Sequence, residues 1–191
     1  GTGTDFDGAV VGIDGSFGKI EVGHTDSVYE DLITDAVDVT NESGLDQASL
    51  SDDEDNMLTY YSPEMNGFSF NAQLGMVDEA ENAGNAEQSF IASAAYDFGA
   101  GAIHVGYDDY GITADSDDQL VGIAAVFTVG LTEVSLAHEM ETGADEKDTD
   151  YTGIALTYDY GMGSLYGQYQ SISVEDGDDQ SQYAVGASAE V

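Results

Sequence analysis

Hydrophobic and polar residues alternate along most of the chain with a period of two. The clearest run is 88–98, where Phe90, Ala92 and Ala94 alternate with polar or small residues. Successive side chains of a strand point to opposite faces, so this pattern predicts strands with one apolar face. We predict an all-β chain of eleven strands, at residues 5–13, 16–25, 57–62, 67–77, 88–98, 102–110, 119–129, 131–140, 151–160, 164–174 and 181–191.

The predicted connections alternate between long and short along the chain. The long ones are 26–56, 78–87, 111–118, 141–150 and 175–180, and the short ones are 63–66, 99–101, Gly130 and 161–163. An antiparallel meander with this alternation has one end of tight turns and one end of long loops. The long connections hold 27 of the 39 Asp and Glu residues, so we predict a strongly acidic loop end.

The longest connection, 26–56, carries eleven carboxylates and no Lys, Arg or His. Structureless connections of this length are rare in compact domains and are usually functional when they occur. Helix-period spacing, enough for one or two amphipathic turns, is confined to this stretch, at Val28, Leu32, Ile33, Ala36 and Val37. We predict that this loop folds into a pore and that the strands form the barrel around it.

The formal net charge is −37, with two Lys or Arg residues against 39 acids. No basic surface is available to replace phosphate counterions, which excludes nucleic-acid binding. Such charge is typical of disorder, yet 41% hydrophobic residues and regular alternation predict a folded chain. Two compatible interpretations of the acidity follow. It is an adaptation to high salt, typical of a halophilic or marine source, or it concentrates cations at a site.

Aromatic residues lie mainly near the ends of the predicted strands. Those beside short connections include Tyr60, Phe68, Phe70, Tyr96, Phe98, Phe127, Tyr158 and Tyr160, and those near long ones are Phe90, Tyr107, Tyr110, Tyr151 and Tyr183. Two aromatic bands are typical of a transmembrane β-barrel with an apolar outer face and a polar lumen. Alternation alone does not say which face is outside. A soluble, secreted acidic β-protein that binds cations or a surface partner is therefore the alternative.

Catalytic and cofactor-binding patterns are not evident. The chain has no cysteine, and His24, His104 and His138 lie on separate predicted strands without a nucleophile motif or metal-ligand spacing. The acidic runs 52–55 and 175–179 lack the spacing of a calcium loop. We predict no enzyme, no cofactor and no dedicated metal site. Only loose cation binding is assigned, to Asp52, Asp53, Glu54 and Asp55.

Two motifs resemble those of the general porins of Gram-negative outer membranes. The first is GSFGKIEVGH at 15–24, followed by Val28-Tyr29 and the long loop. In that family a similar strand runs straight into the third loop, which folds inside the barrel. The second is LTYYSP at 58–63 with GFSF at 67–70, which resembles the strand pair after that loop.

The resemblance implies an antiparallel up-and-down transmembrane barrel of about sixteen strands, of which about eleven are covered here. Residues 1–191 would then be one partial barrel domain, roughly the fourth to fourteenth strands of a longer protein. The resemblance also implies a homotrimer in contact with outer-membrane lipid. Its function would be passive diffusion of inorganic cations and small polar solutes.

The resemblance further implies where the pore is narrow. The family opposes arginines of the barrel wall to carboxylates of the folded-in loop. Here His24 replaces one arginine, Thr59 and Tyr61 stand where other charged residues are expected, and Lys19 remains as a wall cation beside Glu21. The loop carboxylates would be drawn from Glu30, Asp31, Asp35, Asp38 and Glu42. Because carboxylates predominate, we predict a cation-selective pore.

Overall fold

The strands form one antiparallel sheet in which each strand pairs with its neighbours in sequence. A computed structural model of the chain describes residues 9–40, 54–75, 89–109, 119–143 and 148–189. The strands are β1 (Val10–Gly15), β2 (Gly18–Thr25), β3 (Glu54–Tyr61), β4 (Phe68–Gly75), β5 (Phe90–Asp97), β6 (Gly101–Asp109), β7 (Gln119–Val129), β8 (Thr132–Thr142), β9 (Thr149–Asp159), β10 (Ser164–Val174) and β11 (Gln180–Ala187). The predicted all-β, up-and-down order of eleven strands is confirmed. Within the described ranges no helix is long and apolar enough to cross a membrane.

The strand boundaries differ from the prediction mainly at β11, which ends at Ala187 although the predicted strand ran to residue 191, and at the end of the long loop. β3 begins at Glu54, three residues before the predicted start, so the loop is 26–53 rather than 26–56. Asn56 lies inside β3 with a φ of 57°, a left-handed conformation that asparagine adopts more readily than most residues. The residues before Met57 are polar on both faces, so alternation carries no signal for where this strand starts.

The connections alternate in length as predicted. Short turns cover 16–17, 62–67, 98–100, 130–131 and 160–163, and the longer connections cover 26–53, 76–89, 110–118, 143–148 and 175–179. The turn at Gly130-Leu131 has only two residues, and Gly130 has a φ of 67°. Tight hairpin turns need this conformation, which glycine adopts without steric cost. One end of the sheet is therefore formed by tight turns and the other by long loops.

The strand register puts apolar side chains on one face of the sheet, and this face is exposed. On β7, Val121 is 42% and Ile123 is 50% exposed, whereas Leu120 and Ala124 on the opposite face are buried. Every strand contributes to this exposed apolar face, through Val11, Val22, Leu58, Phe70, Tyr96, Ile103, Ile123, Leu136, Leu156, Leu165 and Val185. A soluble protein would bury such a face. The alternative of a soluble β-protein is therefore wrong, and we call this face the outer face.

The buried core lies on the inner face of the sheet, beneath the first part of the long loop. The loop contributes Val28, Tyr29, Ile33 and Val37, and the wall contributes Met57, Ile91, Leu120, Ala124, Ala137 and Ala155. The loop covers wall positions on β3, β5, β7, β8 and β9. The predicted inward folding of the loop is confirmed for its described part, residues 26–40.

Candidate functional site

The first part of the long loop, residues 27–39, forms successive turns that begin at Ser27. The Ser27 hydroxyl oxygen accepts hydrogen bonds from the backbone N–H groups of Tyr29, at 3.2 Å, and Glu30, at 3.4 Å. This is the usual arrangement of a helix N-cap. The Ile33 N–H then donates to the Tyr29 carbonyl at 2.9 Å. A polar cap therefore starts the turns immediately after the loop leaves β2.

The turns have two different sides. Tyr29, Ile33 and Val37 recur every four residues and are buried, whereas Asp31 and Asp35 are exposed. Residues four apart lie on the same side of a helical turn. The loop thus packs an apolar side against the wall and turns two carboxylates away from it.

Three glycines on the inner wall leave space for the apolar side of the loop. A Cβ atom at Gly106 would lie 2.5 Å from the Tyr29 ring. The contacting pairs are Gly106 with Tyr29 and Ile33, Gly122 with Tyr29 and Ile33, and Gly153 with Val37. No side chain larger than hydrogen fits at these positions without moving the loop. The depth at which the loop lies against the wall therefore depends on glycine.

Glu139 of β8 joins two loop side chains to the wall. Its Oε2 accepts hydrogen bonds from the Tyr29 hydroxyl at 3.0 Å and the Thr34 hydroxyl at 3.4 Å. Glu139 is only 2% exposed. A buried carboxylate is costly unless it is hydrogen-bonded. These contacts make Glu139 a positioning residue for the loop rather than a group of the open lumen.

Three further wall side chains bind the loop backbone. The Val28 N–H donates to Gln73 Oε1 at 2.9 Å, His104 Nδ1 donates to the Leu32 carbonyl at 2.7 Å, and the Val39 N–H donates to Gln168 Oε1 at 3.0 Å. A carbonyl oxygen only accepts, so Nδ1 of His104 carries the proton. With Glu139, these residues come from β4, β6, β8 and β10. Every second strand of this wall therefore holds the loop.

The start of the loop is joined to the wall beneath it. Gln73 Nε2 donates to the Thr25 hydroxyl at 2.9 Å and to the Asp26 carbonyl at 2.8 Å. The hydroxyls of Thr25 and Thr59 are 3.1 Å apart. Thr59 and Gln73 are fully buried. Thr59 therefore lies on the inner face as its position in β3 predicts, but under the loop and away from the lumen surface.

Lys19 forms a small charged cluster with two neighbours on the inner face. Its Nζ lies 2.9 Å from Glu21 Oε2 and 4.1 Å from the centre of the Tyr61 ring. Lys19 and Tyr61 are paired across β2 and β3. Exposed ion pairs contribute little to stability, but this one balances the lysine charge locally. The structure therefore brings together the three residues predicted for this part of the wall.

The other predicted constriction residues are spread more widely. His24 lies where the register between β2 and β3 shifts, between Gly23 and Thr25. On the loop, Glu30 and Asp38 are half-buried beside the exposed Asp31 and Asp35. The predicted positions Glu42, Asp52 and Asp53 lie outside the described residues, and Glu54 and Asp55 form the start of β3. In the part of the chain that is described, no group of three His, Asp or Glu side chains is arranged to hold a metal ion.

The aromatic residues predicted beside the short turns lie at that end of the sheet. Tyr60, Phe68, Phe70, Tyr96, Phe127 and Tyr158 are on the outer face, and Phe98 and Tyr160 are in the turns. The rings of Tyr60 and Phe70 are 5.6 Å apart. In the second group, Tyr110 lies outside the described residues, and Tyr151 lies near a long connection as predicted but is not part of a lipid-facing band. Tyr151 pairs with Glu139 and faces inward, because it lies three positions before the outward Ile154 and side-chain direction alternates along a strand.

Sequence patterns did not identify the wall residues that hold the loop. Gln73, Glu139 and Gln168 lie on the polar face of their strands, like many other residues. Polar-face position is the only signal they carry in the sequence. His104 was predicted as a wall residue, without its contact to the loop.

Comparison with known proteins agrees with this architecture. Residues 1–191 match the family model described as Gram-negative porin. A monosaccharide porin of a Halomonas species and the major outer membrane protein of Halomonas elongata are each 27% identical over 191 residues, which cover 88% of this chain and 52% of the relative. The chain thus spans about half the length of these curated relatives.

Solved structures share the fold at lower sequence identity. An anion-selective porin from Comamonas acidovorans superposes with a TM-score of 0.74 and 16% identity, over 94% of this chain and 61% of that one. The trimer form of OmpT from Vibrio cholerae gives a TM-score of 0.63 and 16% identity, over 92% and 62%. The outer face, the inward loop and the family match together confirm an outer-membrane location and a non-enzymatic protein. The chain belongs to the Gram-negative porin family.

Proposed function

We propose that the complete protein forms a water-filled diffusion channel for ions and small polar solutes across the outer membrane, with loop 26–53 as its constriction. The observation that carries this proposal is the position of the loop. Its apolar side and hydrogen bonds lie against the inner wall, and Asp31 and Asp35 are exposed on its other side. A loop held in this way narrows the lumen.

The channel is proposed to prefer cations. Among the described residues Lys19 is the one Lys or Arg, and Glu21 balances its charge. Carboxylates that line a narrow pore raise the local concentration of cations. The fold itself does not decide selectivity, because the Comamonas neighbour is described as anion-selective. The charges on the loop and the facing wall are therefore proposed to set the preference.

Single-channel recording of the full-length protein in a planar bilayer under a KCl gradient tests both proposals. We expect stepwise insertions and a reversal potential of the cation-selective sign. Steps with weak or anion selectivity would retain the channel and refute the cation preference. Absence of steps from protein that has inserted into the bilayer would refute the channel.

Neutral monosaccharides are proposed as a second solute class. The Halomonas relative is described as a monosaccharide porin, and the inner face of β11 carries the half-buried amide of Gln182. Amides both donate and accept hydrogen bonds without adding charge, which suits sugar hydroxyls. In a liposome-swelling assay a monosaccharide should enter faster than a trisaccharide. Equal rates with and without protein would refute this solute class.

A homotrimer is proposed for the complete protein, because a structural neighbour is described in a trimer form. Analytical ultracentrifugation in detergent should give the mass of three subunits. A monomeric mass under conditions that preserve the channel would contradict the proposal.

The eight aromatic residues of the short-turn end, from Tyr60 to Tyr160, are proposed to lie at the periplasmic membrane interface.

The acidity of the long connections is proposed to be an adaptation to high salt. These connections hold most of the 39 acids of the chain. The Debye length falls from about 10 Å at 0.1 M salt to about 3 Å at 1 M, so repulsion between neighbouring carboxylates is weakened.

A further inference from the structure

Several glycines on the inner face of the strands lie against a side chain of the same protein. The loop packs on Gly106, Gly122 and Gly153, the Tyr166 ring covers Gly186, and Glu21 covers Gly12. Glycine weakens the interior of a strand and is found where another group approaches closely. At each of these positions the structure contains the approaching group.

Gly167, in the middle of β10, is different because it faces outward. It pairs with Leu156 of β9 on one side and Val185 of β11 on the other. A Cβ atom there would lie 3.3 Å from both the Ala184 carbonyl oxygen and Val185 Cγ1, close contacts that a shift of a few tenths of an ångström would relieve. Packing within the described chain therefore does not demand glycine at this position.

The missing side chain opens a groove on the outer face. The groove has a volume of about 470 Å³, and its outward walls include Ile154, Leu156, Tyr158, Leu165, Tyr169 and Val185. These side chains are each between 39% and 82% exposed. The lining that the structure describes contains no charged residue. The occupant that fits such a surface is apolar.

We propose that an acyl chain of a phospholipid lies in the groove above Gly167. The groove belongs to the outer face, which meets hydrocarbon in an outer-membrane barrel. It begins near the short turn at 160–163, and short turns of such barrels lie on the periplasmic side. The periplasmic leaflet supplies phospholipid, so this source is favoured over the glycolipid of the outer leaflet. This inference does not depend on the proposed channel activity.

A groove of this kind is an ordered binding site rather than general contact with lipid. Burial of each methylene group is favourable, and the flanking Leu156 and Val185 contact a chain from both sides. A flat outer surface would contact an acyl chain from one side only. The acyl chain at Gly167 should therefore be retained longer than other lipid when the protein is transferred to detergent.

Native mass spectrometry of the full-length protein, extracted from vesicles of phosphatidylethanolamine and phosphatidylglycerol, tests the proposal. At detergent concentrations that remove most lipid, the unmodified protein should retain one phospholipid per subunit more than a variant in which this groove is filled. Gly167→Leu fills the groove and should lower retention about tenfold, as expected from losing the burial of about two methylene groups. Gly167→Ala should retain the lipid. Ala125→Leu adds the same side chain type to the outer face of β7, away from the groove, and should also retain it.

Leu156→Ala removes one wall of the groove without overpacking it, so it tests the same site if Gly167→Leu does not fold. It should also lower retention. Equal retention in the unmodified protein and in a folded Gly167→Leu or Leu156→Ala variant would overturn the proposal. A Gly167→Leu variant that dissociates the oligomer, with lipid retention unchanged, would also overturn it by assigning the groove to a second copy of the chain.

Discussion

Glu139 is a carboxylate of the lumen wall whose charge is turned toward the loop. It accepts hydrogen bonds from the hydroxyls of Tyr29 and Thr34, which both lie more than 100 residues away in sequence. Because the site is buried, loss of the carboxylate would leave two hydroxyl groups without their acceptor and a cavity behind them. We therefore assign it to the position of the constriction rather than to ion selection.

Glu139→Ala should loosen the loop and cost about 1–3 kcal/mol of stability, the usual penalty for leaving buried polar groups unsatisfied. We expect single-channel conductance that is larger, or noisier in time, with the sign of selectivity unchanged. Glu133→Ala is the matched control, because Glu133 lies on the same face of β8 and its substitution removes the same charge. Identical recordings from the two variants would show that Glu139 does not position the loop.

Asp31 and Asp35 carry the proposed selectivity at the residue scale. Asp31→Asn with Asp35→Asn keeps the size of both side chains and removes two charges, so the reversal potential under a KCl gradient should move toward zero. Glu175→Gln with Asp178→Asn removes the same charge from the exposed 175–179 connection. If this control pair changes the reversal potential equally, the preference arises from the general acidity of the loop end.

At the scale of elements, the loop and the wall fit each other through both shape and polarity. Thr25 lies an even number of positions after Lys19 and Glu21 on β2, so it also faces inward, where it meets Thr59 and Gln73. The loop therefore leaves β2 already directed across the wall. Alternate strands then supply hydrogen bonds, and glycines supply the space between them. The loop has few ways to move without losing several contacts together.

Gly122→Val should displace the loop, although valine favours strands. Its side chain would overlap the Tyr29 hydroxyl and Ile33, at a typical overpacking cost of about 1–3 kcal/mol. Thermal unfolding and single-channel conductance should both change. Adding Ile33→Ala to Gly122→Val should bring both measurements part of the way back to those of the unmodified protein, because the smaller side chain removes part of the overlap. Ala125→Val on the outer face of β7 is the control, and an equal effect there would contradict a role of Gly122 in seating the loop.

At the scale of the whole molecule, apolar area and charge are separated. The outer face of the sheet is apolar, the inner face is polar away from the patch that the loop covers, and most acids belong to the long connections. The two sheet edges, β1 and β11, each have one paired neighbour in the described chain. The formal charge of −37 is thus concentrated outside the lipid-facing surface.

Stability of the full-length protein in neutral detergent should rise with salt. Between 0.1 M and 1 M NaCl the Debye length falls from about 10 Å to about 3 Å, so the unfolding temperature should rise by several degrees. Sucrose at equal osmolality is the control, since it does not screen charge. An equal rise in sucrose would contradict the electrostatic explanation.

Much of this architecture follows from the sequence by itself. Period-two alternation in runs such as 88–98 determines strands, because side-chain direction alternates along extended chain. Connection lengths determine a meander with two unlike ends. The length and composition of the 26–56 stretch, with the porin-like motifs around it, predict the inward loop. These features depend on residues that are close in sequence, so local patterns carry them.

The tertiary structure alone decided which face of the sheet meets lipid, because alternation is the same for either choice. It also decided that Tyr151 faces inward, that Thr59 lies under the loop, and that Gln73, His104, Glu139 and Gln168 hold it. These contacts join residues up to 129 positions apart, and they depend on strand register and on where the loop lies. No local pattern contains that information, because the same polar face offers many equivalent side chains until the loop packs against particular ones.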